Sequence, residues 1–209
     1  MVRIANKTPH KTNLDKQVMH VPSLSIAEKY IEQVVADKKY CAYKCILSDL
    51  FTRHYPNNVN FEQVLLKCTI LNDFYLTNII DTFTVAKHII EVRDIDKRLK
   101  NGDLSLIDEI SEVNFKNVTK KFYSFATKFC HSHQPDSYPI YDKNVDIALW
   151  YFAEKGYISL DFKRKELRDY KTFKEIVDNF RDSNKLNILN YEKLDNYLWK
   201  FGKDLTDKK

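Results

Sequence analysis

Three glycines and five prolines in 209 residues leave this chain few places to turn sharply. A sandwich or barrel needs turn residues every ~8–12 positions, so that scarcity argues against a β architecture. Helices joined by short polar loops remain. The hydrophobic share of 44% and charged share of 30% are a globular balance, not a disordered one. A chain of this length buries about 70% of the surface its unfolded form exposes, enough for one core. The expected class is all-α, as a multi-helix single domain.

Residues 1–22 carry Arg3, Lys7, Lys11 and Lys16, are broken by Pro9 and Pro22, and show no helical stripe. They read as a flexible basic N-terminal arm, and residues 23–209 as one helical domain. Ile26, Tyr30, Ile31 and Val34 share one face of a first helix, with Ser25 and Glu28 spaced as a capping box. Further helices are predicted near 42–53, 61–72 (Phe61, Val64, Leu65, Cys68, Leu71 inward) and 82–92 (Val85, Ile89, Val92 inward). Others follow at 103–113, after Gly102, and along 115–133, where Val118, Phe122, Phe125 and Phe129 form a stripe. Pro135 and Pro139 make 134–140 an extended loop. A helix then runs 142–156 to Gly156, and two more cover 170–182 and 191–203, the last ending near Gly202.

The net charge of +5 suits a polyanionic partner but is common among proteins without one. Cys41, Cys45, Cys68 and Cys130 read as reduced thiols of a cytoplasmic protein. No run approaches the ~18 apolar residues of a membrane span, so no membrane partner is expected.

The segment with chemical content is Phe125-Ala-Thr-Lys-Phe-Cys-His-Ser-His-Gln-Pro-Asp-Ser-Tyr-Pro-Ile-Tyr-Asp-Lys-Asn-Val. It sets Lys128 in an apolar helix and delivers Asp142 to the start of the next one. Desolvation between Phe125 and Phe129 lowers the pKa of a lysine and makes its amine nucleophilic. A carboxylate at a helix N-terminus is stabilised by the dipole and the free N–H groups, and could in turn steady a cationic sugar-like transition state. The plainer reading is an N-cap aspartate and a snorkelling lysine.

The arrangement resembles the signature of the helix-hairpin-helix DNA glycosylases, particularly the 8-oxoguanine branch. Thr127-Lys128 is similar to the Thr-Lys that follows the family's hairpin. Tyr138-Pro-Ile-Tyr-Asp-Lys-Asn-Val145 is similar to its Val-Pro-Val-Asp-x-x-Val element. The resemblance covers roughly 61–152. It implies a DNA glycosylase, an N-glycosyl hydrolase with β-lyase capacity, that acts on a flipped damaged or modified base in double-stranded DNA. Lys128 would be the nucleophile that forms a Schiff base at C1′, and Asp142 the essential carboxylate. Asn72 and Tyr75, at the end of Leu66-Lys-Cys-Thr-Ile-Leu-Asn-Asp-Phe-Tyr, would face the gap left by the flipped base. Thr127, His131, His133, Lys143 and Asn144 complete the expected DNA contacts. No metal site, iron–sulfur cluster or other cofactor is implied, and a monomer suffices.

Two departures from the family stand out. The Gly-x-Gly that grips a DNA phosphate ahead of the lysine is replaced by Phe122-Tyr-Ser-Phe-Ala, and bulky residues rarely take positive φ. The interval from lysine to aspartate is also shortened. The basic-aromatic segments 116–122 and 162–170 (Lys163, Arg164, Lys165, Arg168) could follow a nucleic-acid backbone instead. A zinc site from Cys130, His133 and the Cys41/Cys45 pair lacks the usual Cys-x-x-Cys spacing. The competing functions are a non-catalytic DNA-binding module on the same scaffold and a helical protein-interaction domain using the Leu194–Phe201 helix. In that helix Trp199 is expected to pack into the core.

Overall fold

The computed structural model describes residues 21–116 and 118–207. The basic arm expected over 1–22 therefore lies outside the described residues, Val21 and Pro22 excepted. Ten α-helices are present among the described residues: α1 (Leu24–Val35), α2 (Lys38–Ser48), α3 (Phe61–Tyr75), α4 (Thr82–Ile90), α5 (Ile95–Lys100), α6 (Leu106–Ser111), α7 (Tyr123–His133), α8 (Lys143–Glu154), α9 (Tyr170–Ser183) and α10 (Tyr191–Asp207). The molecule is mostly helical, and one departure from the all-α expectation bears on the site.

The helix predicted from residue 115 is not formed at its first third. Glu112–Phe115 (β1) and Val118–Lys121 (β2) pair antiparallel, Glu112 opposite Lys121 and Phe115 opposite Val118. Val118, read as core, is 53% exposed on the ribbon. The physical reason lies in the residues: Val113, Phe115, Val118 and Thr119 are β-branched or aromatic, and alternation over this stretch buries Val113 alone. The helix starts only at Tyr123, where Phe125, Phe129 and Cys130 turn inward.

Other differences are local. The Ser25/Glu28 capping box does not form; Ser23 is the N-cap residue, and its hydroxyl meets that of Ser25. The 42–53 helix begins four residues earlier and passes into a π-helical turn at Asp49–His54. The 103–113 helix is confined to Leu106–Ser111. Gly102 and Gly156 do take positive φ, as their places after helices require.

One core cluster holds all ten helices. Within it α10 packs on α8 and α1, α3 on α4 and α7, and α6 on α7. The α8–α10 contact is the most extensive. Phe152 and Phe201 stack at 4.6 Å, with Phe180 beyond. Gly202 does not end α10 as expected. It is buried mid-helix against α8, where a Cβ would lie 1.9 Å from the Asn144 carbonyl oxygen. The glycine is needed for backbone approach, and the backbone it admits is the first turn of α8.

A buried lysine, Lys67 of α3, anchors the loop after the π-helical turn. Its Nζ donates to the carbonyls of Tyr55 and Asn57 at 3.0 Å and to Asn58 Oδ1 at 2.6 Å. Burial lowers its pKa to about 8, with Asp96 opposing. Three acceptors keep this ammonium from being an unpaired buried charge.

Gly202→Ala is expected to destabilise the protein by about 2–3 kcal/mol, through forced separation of α10 from the start of α8. Urea unfolding of the two proteins side by side measures this; a change below about 0.5 kcal/mol would refute the close-approach role.

Candidate active site

Lys128 and Asp142 meet because the loop between them is pinned along its length. Tyr138, Pro139, Ile140 and Tyr141 are buried, so their backbone groups need partners inside the protein. His131 Nδ1 lies 2.8 Å from the Tyr138 carbonyl; a carbonyl only accepts, so Nδ1 carries the hydrogen. The Tyr170 hydroxyl donates to the Pro139 carbonyl at 2.9 Å. The Tyr141 N–H donates to Thr127 Oγ1 at 3.1 Å. Thr127 precedes Lys128 and Tyr141 precedes Asp142, so this bond ties the two candidate positions one residue away from each.

Asp142 is the N-cap of α8, with Oδ1 accepting from the N–H groups of Asn144 and Val145 at 2.8 and 3.1 Å. Its Oδ2 stands 3.9 Å from Lys128 Nζ. The lysine is 4% exposed. Its ammonium donates to Ser124 Oγ, one turn back on α7, at 2.6 Å and sits 5.2 Å over the Tyr75 ring. Burial lowers the Lys128 pKa, while the charges of Asp142 and Asp195 oppose the shift. The pair is therefore a desolvated amine facing a fixed carboxylate: desolvation favours the neutral, nucleophilic amine and the carboxylate favours the ammonium.

Two cavities meet at this pair, and Tyr75, Leu76, Lys128 and Asp142 line both. The first is an open cleft of about 900 Å³ bounded by β2, α7, the start of α8 and the 164–168 turn. Six cationic side chains line it (Lys121, Lys128, Lys143, Arg164, Lys165 and Arg168) against the carboxylates of Asp142 and Asp146. Arg164 is fixed by Asp146, its Nε 2.7 Å from Oδ1, and the Tyr141 hydroxyl donates to the other oxygen. The second is a narrower chamber of about 400 Å³ between α2, α3 and α10, walled by Tyr40, Tyr43, Phe74 and Trp199. Tyr43 and Phe74 stack in parallel at 3.8 Å. Trp199, expected in the core, is half-buried in the chamber wall, with Lys203 Nζ 5.2 Å from its ring.

The remaining expected residues separate into those the site uses and those the scaffold uses. Tyr75 and Lys143 line the cleft, and His131 lines the chamber but is buried and spent on Tyr138. Thr127 is fully buried and serves as a strut. Asn72 holds the turn after α3, accepting from Ile79 N–H and the Thr77 hydroxyl and donating to the Ile79 carbonyl. His133 lines neither cavity; it packs edge-on to Phe51 and lies 3.1 Å from Asn58 Nδ2. Asn144 lines neither; its N–H is on Asp142 and its carbonyl abuts Gly202.

Three contributors escaped sequence reasoning. Ser124 stands four residues before Lys128, a spacing that could have flagged it. Leu76 ends α3 in the left-handed region (φ 50°) and is 75% exposed at the junction of the two cavities. Asp195 belongs to a distant helix and carries no local signal. Among the described residues no three His, Cys, Asp or Glu side chains converge as a metal cluster; Cys130 is buried, and Cys41 and Cys45 are exposed.

Residues 26–137 match the family model described as HI_0787_N, N-terminal domain. The chain belongs to that family. An uncharacterized protein of Haemophilus influenzae is 44% identical over 147 residues, which is 70% of each chain. No solved structure matches. The matched domain contains Lys128, the Tyr75–Leu76 helix end and the ribbon, and stops before Asp142. None of the described helices is long and apolar enough to cross a membrane.

His131 also gives the fold an acid limit. Burial first, then the charge of Lys44, lowers its pKa from 6.5 to about 4. Between those values the unfolded chain holds a proton that the folded chain does not. Stability is therefore complete above pH 6.5 and falls as the pH drops toward 4, by about 3 kcal/mol from this group. Urea unfolding at pH 7 and pH 4 should show that loss, and His131→Asn, whose amide can still donate to Tyr138, should shrink it.

Proposed function

We propose that the chain is a base-excising DNA glycosylase with β-lyase capacity, in which Lys128 is the nucleophile and Asp142 the carboxylate that steadies the sugar cation. The observation that carries this reading is the position of the pair: a desolvated lysine and a fixed aspartate 3.9 Å apart, at the junction of a cationic cleft and an aromatic chamber. The cleft suits phosphates, the chamber suits one unstacked base, and the sugar carbon joining them falls at Lys128.

The chemistry follows from that placement. Neutral Lys128 Nζ attacks C1′ as the bond from C1′ to the base nitrogen breaks, and its electron pair leaves with the base, which takes up a proton. Asp142 stabilises the positive charge that develops on the sugar ring. Loss of a proton from Nζ and opening of the ring, with O4′ taking a proton, gives an iminium between Lys128 and C1′. Removal of a C2′ proton then expels the 3′ phosphate, and water releases the lysine. Tyr75 and Ser124 hold the amine in place, and Leu76 is the apolar residue placed to fill the gap in the duplex.

Borohydride should trap a covalent complex between the protein and abasic-site duplex DNA. Lys128→Gln should abolish trapping, and Asp142→Asn should slow it on the order of a hundredfold. Absence of trapping by the wild type overturns the catalytic reading; salt-dependent duplex binding without trapping would establish the binding-module alternative. Lys165→Ala and Arg168→Ala should each weaken binding to all duplexes alike and reduce the slope of log K against log salt by about 1.

A further inference from the structure

The hydrogen-bond acceptor of the Lys128 amine is a hydroxyl, not the carboxylate. Among the described residues Nζ donates to Ser124 Oγ alone, at 2.6 Å. Asp142 Oδ2 stands 3.9 Å away, beyond hydrogen-bond reach, and Oδ1 is committed to the N–H groups of Asn144 and Val145. Asp142 therefore acts on the amine through space, while the proton contact belongs to Ser124. The backbone at Ser124 is held as well. Its carbonyl accepts from the Thr127 hydroxyl at 2.9 Å, and Thr127 Oγ1 accepts from the Tyr141 N–H. The strut that fixes the loop thus also fixes the turn that carries this hydroxyl.

Ser124 is half-buried and lines the cleft but not the chamber, whereas Lys128 lines both. The hydroxyl therefore stands on the side of the amine that faces sugar and phosphates in the reading given above, away from the base. Two protons have to move on that side once the base has left. Nζ must lose one before it can form a double bond to C1′, and O4′ must gain one as the ring opens. Asp142 is poorly suited to carry them. It is out of hydrogen-bond reach, and protonation would remove the negative charge that steadies the sugar cation. A hydroxyl accepts and donates through one atom, so it can take the first proton and give the second without holding charge.

We propose that Ser124 is a further catalytic residue, a proton relay from Lys128 Nζ to O4′ of the bound sugar. An N–H bond breaks as Oγ takes that proton, and the original O–H bond breaks as its proton passes to O4′. The electron pair of the C1′–O4′ bond leaves with O4′, and the freed pair on nitrogen closes the iminium. Oγ ends as it began, and Asp142 stays ionised throughout. This role rests on the reading of Lys128 as the nucleophile, and it concerns the step after the attack.

Two duplexes separate ring opening from the rest of the chemistry. One carries an ordinary abasic site, whose sugar is mostly a closed ring. The other carries an aldehyde on an open chain with no ring oxygen, made by periodate cleavage of a diol in the strand. The rate of borohydride trapping by the full chain is measured on both. Ser124→Ala should slow trapping of the ring-closed site by about a hundredfold. It should slow trapping of the open-chain aldehyde by only about fivefold, the cost of an amine held by one hydrogen bond fewer. Ser124→Thr keeps a hydroxyl on the same carbon and should bring the ring-closed rate back to within about fivefold of wild type. Equal losses on the two duplexes would mean that Ser124 only places the amine, and no loss on either that the proton leaves by another route. Either result overturns the relay, as does a Ser124→Thr protein no better than Ser124→Ala, or a wild type that traps only the open-chain duplex. Failure of the wild type to trap either duplex removes the underlying reading instead.

Discussion

A buried loop with no regular structure has to find a partner for each backbone polar group, and here those partners are the elements that carry the site. Thr127 accepts from Tyr141 N–H, Tyr170 donates to Pro139, and His131 donates to Tyr138. Each bond leaves a different residue of α7 or α9 holding one link of the loop. Asp142 emerges from that loop with no freedom of register, capping α8 by accepting two backbone N–H bonds. The distance from Lys128 to Asp142 thus follows from main-chain hydrogen bonding, not from attraction between the charges. That attraction, at 3.9 Å with Nζ already donating to Ser124, is too weak to order the loop unaided.

The same loop explains why the charges can remain buried. Lys128 is desolvated on three sides, by Tyr75, Ser124 and the apolar face of α7. An ammonium in such a place must be matched by negative charge or become neutral. Asp142 is held at the positive end of α8 and supplies the match. Asp195 approaches from α10 across the chamber. Two acids and one base in a common low-dielectric space titrate as a unit, so moving α10 would change the lysine's proton affinity without touching it. Gly202 sets that spacing, since α10 comes within contact of the Asn144 carbonyl only where a Cβ is missing.

Much of this was legible in the sequence, and the limits of what was legible are physical. The helices α1, α3, α4, α8, α9 and α10 follow from apolar spacing and punctuation, which are local. Lys128 in an apolar stripe and Asp142 after Pro-Ile-Tyr were visible because both sit in one short segment. That Asn72 and Thr127 are bonded within the scaffold was not legible, because their residue type does not reveal whether a side chain faces outward or ties the backbone. The ribbon at 112–121 was hidden by Phe122, Phe125 and Phe129, whose helical stripe extends in appearance to Val118. Competing β preference in Val113–Thr119 decided the outcome. Asp195 was invisible because its meaning comes only from α7 and α8, far away in the chain.

The ribbon also bears on how an anionic backbone could be held. The glycines that expose main-chain N–H groups ahead of the lysine are missing, and no residue from Phe122 to Ala126 has positive φ. What borders the cleft instead is side-chain charge: Lys121 at the end of β2, Lys143 on the first turn of α8, and Arg164, Lys165 and Arg168 on one short turn. Lys121 is shared with Asp108 and Glu112, and Arg164 is braced by Asp146, so part of the rim is fixed in place. A main-chain grip is short-ranged and specific in geometry, whereas a rim of long cations is longer-ranged and more sensitive to salt. Replacing the first by the second would leave the lysine–aspartate pair untouched, because the pair is positioned by the loop and α8 and not by the hairpin. In the proposed reading the grip and the chemistry are separable, because the rim is built on β2, the first turn of α8 and the 164–168 turn, whereas the pair is held by the loop and the α8 N-cap.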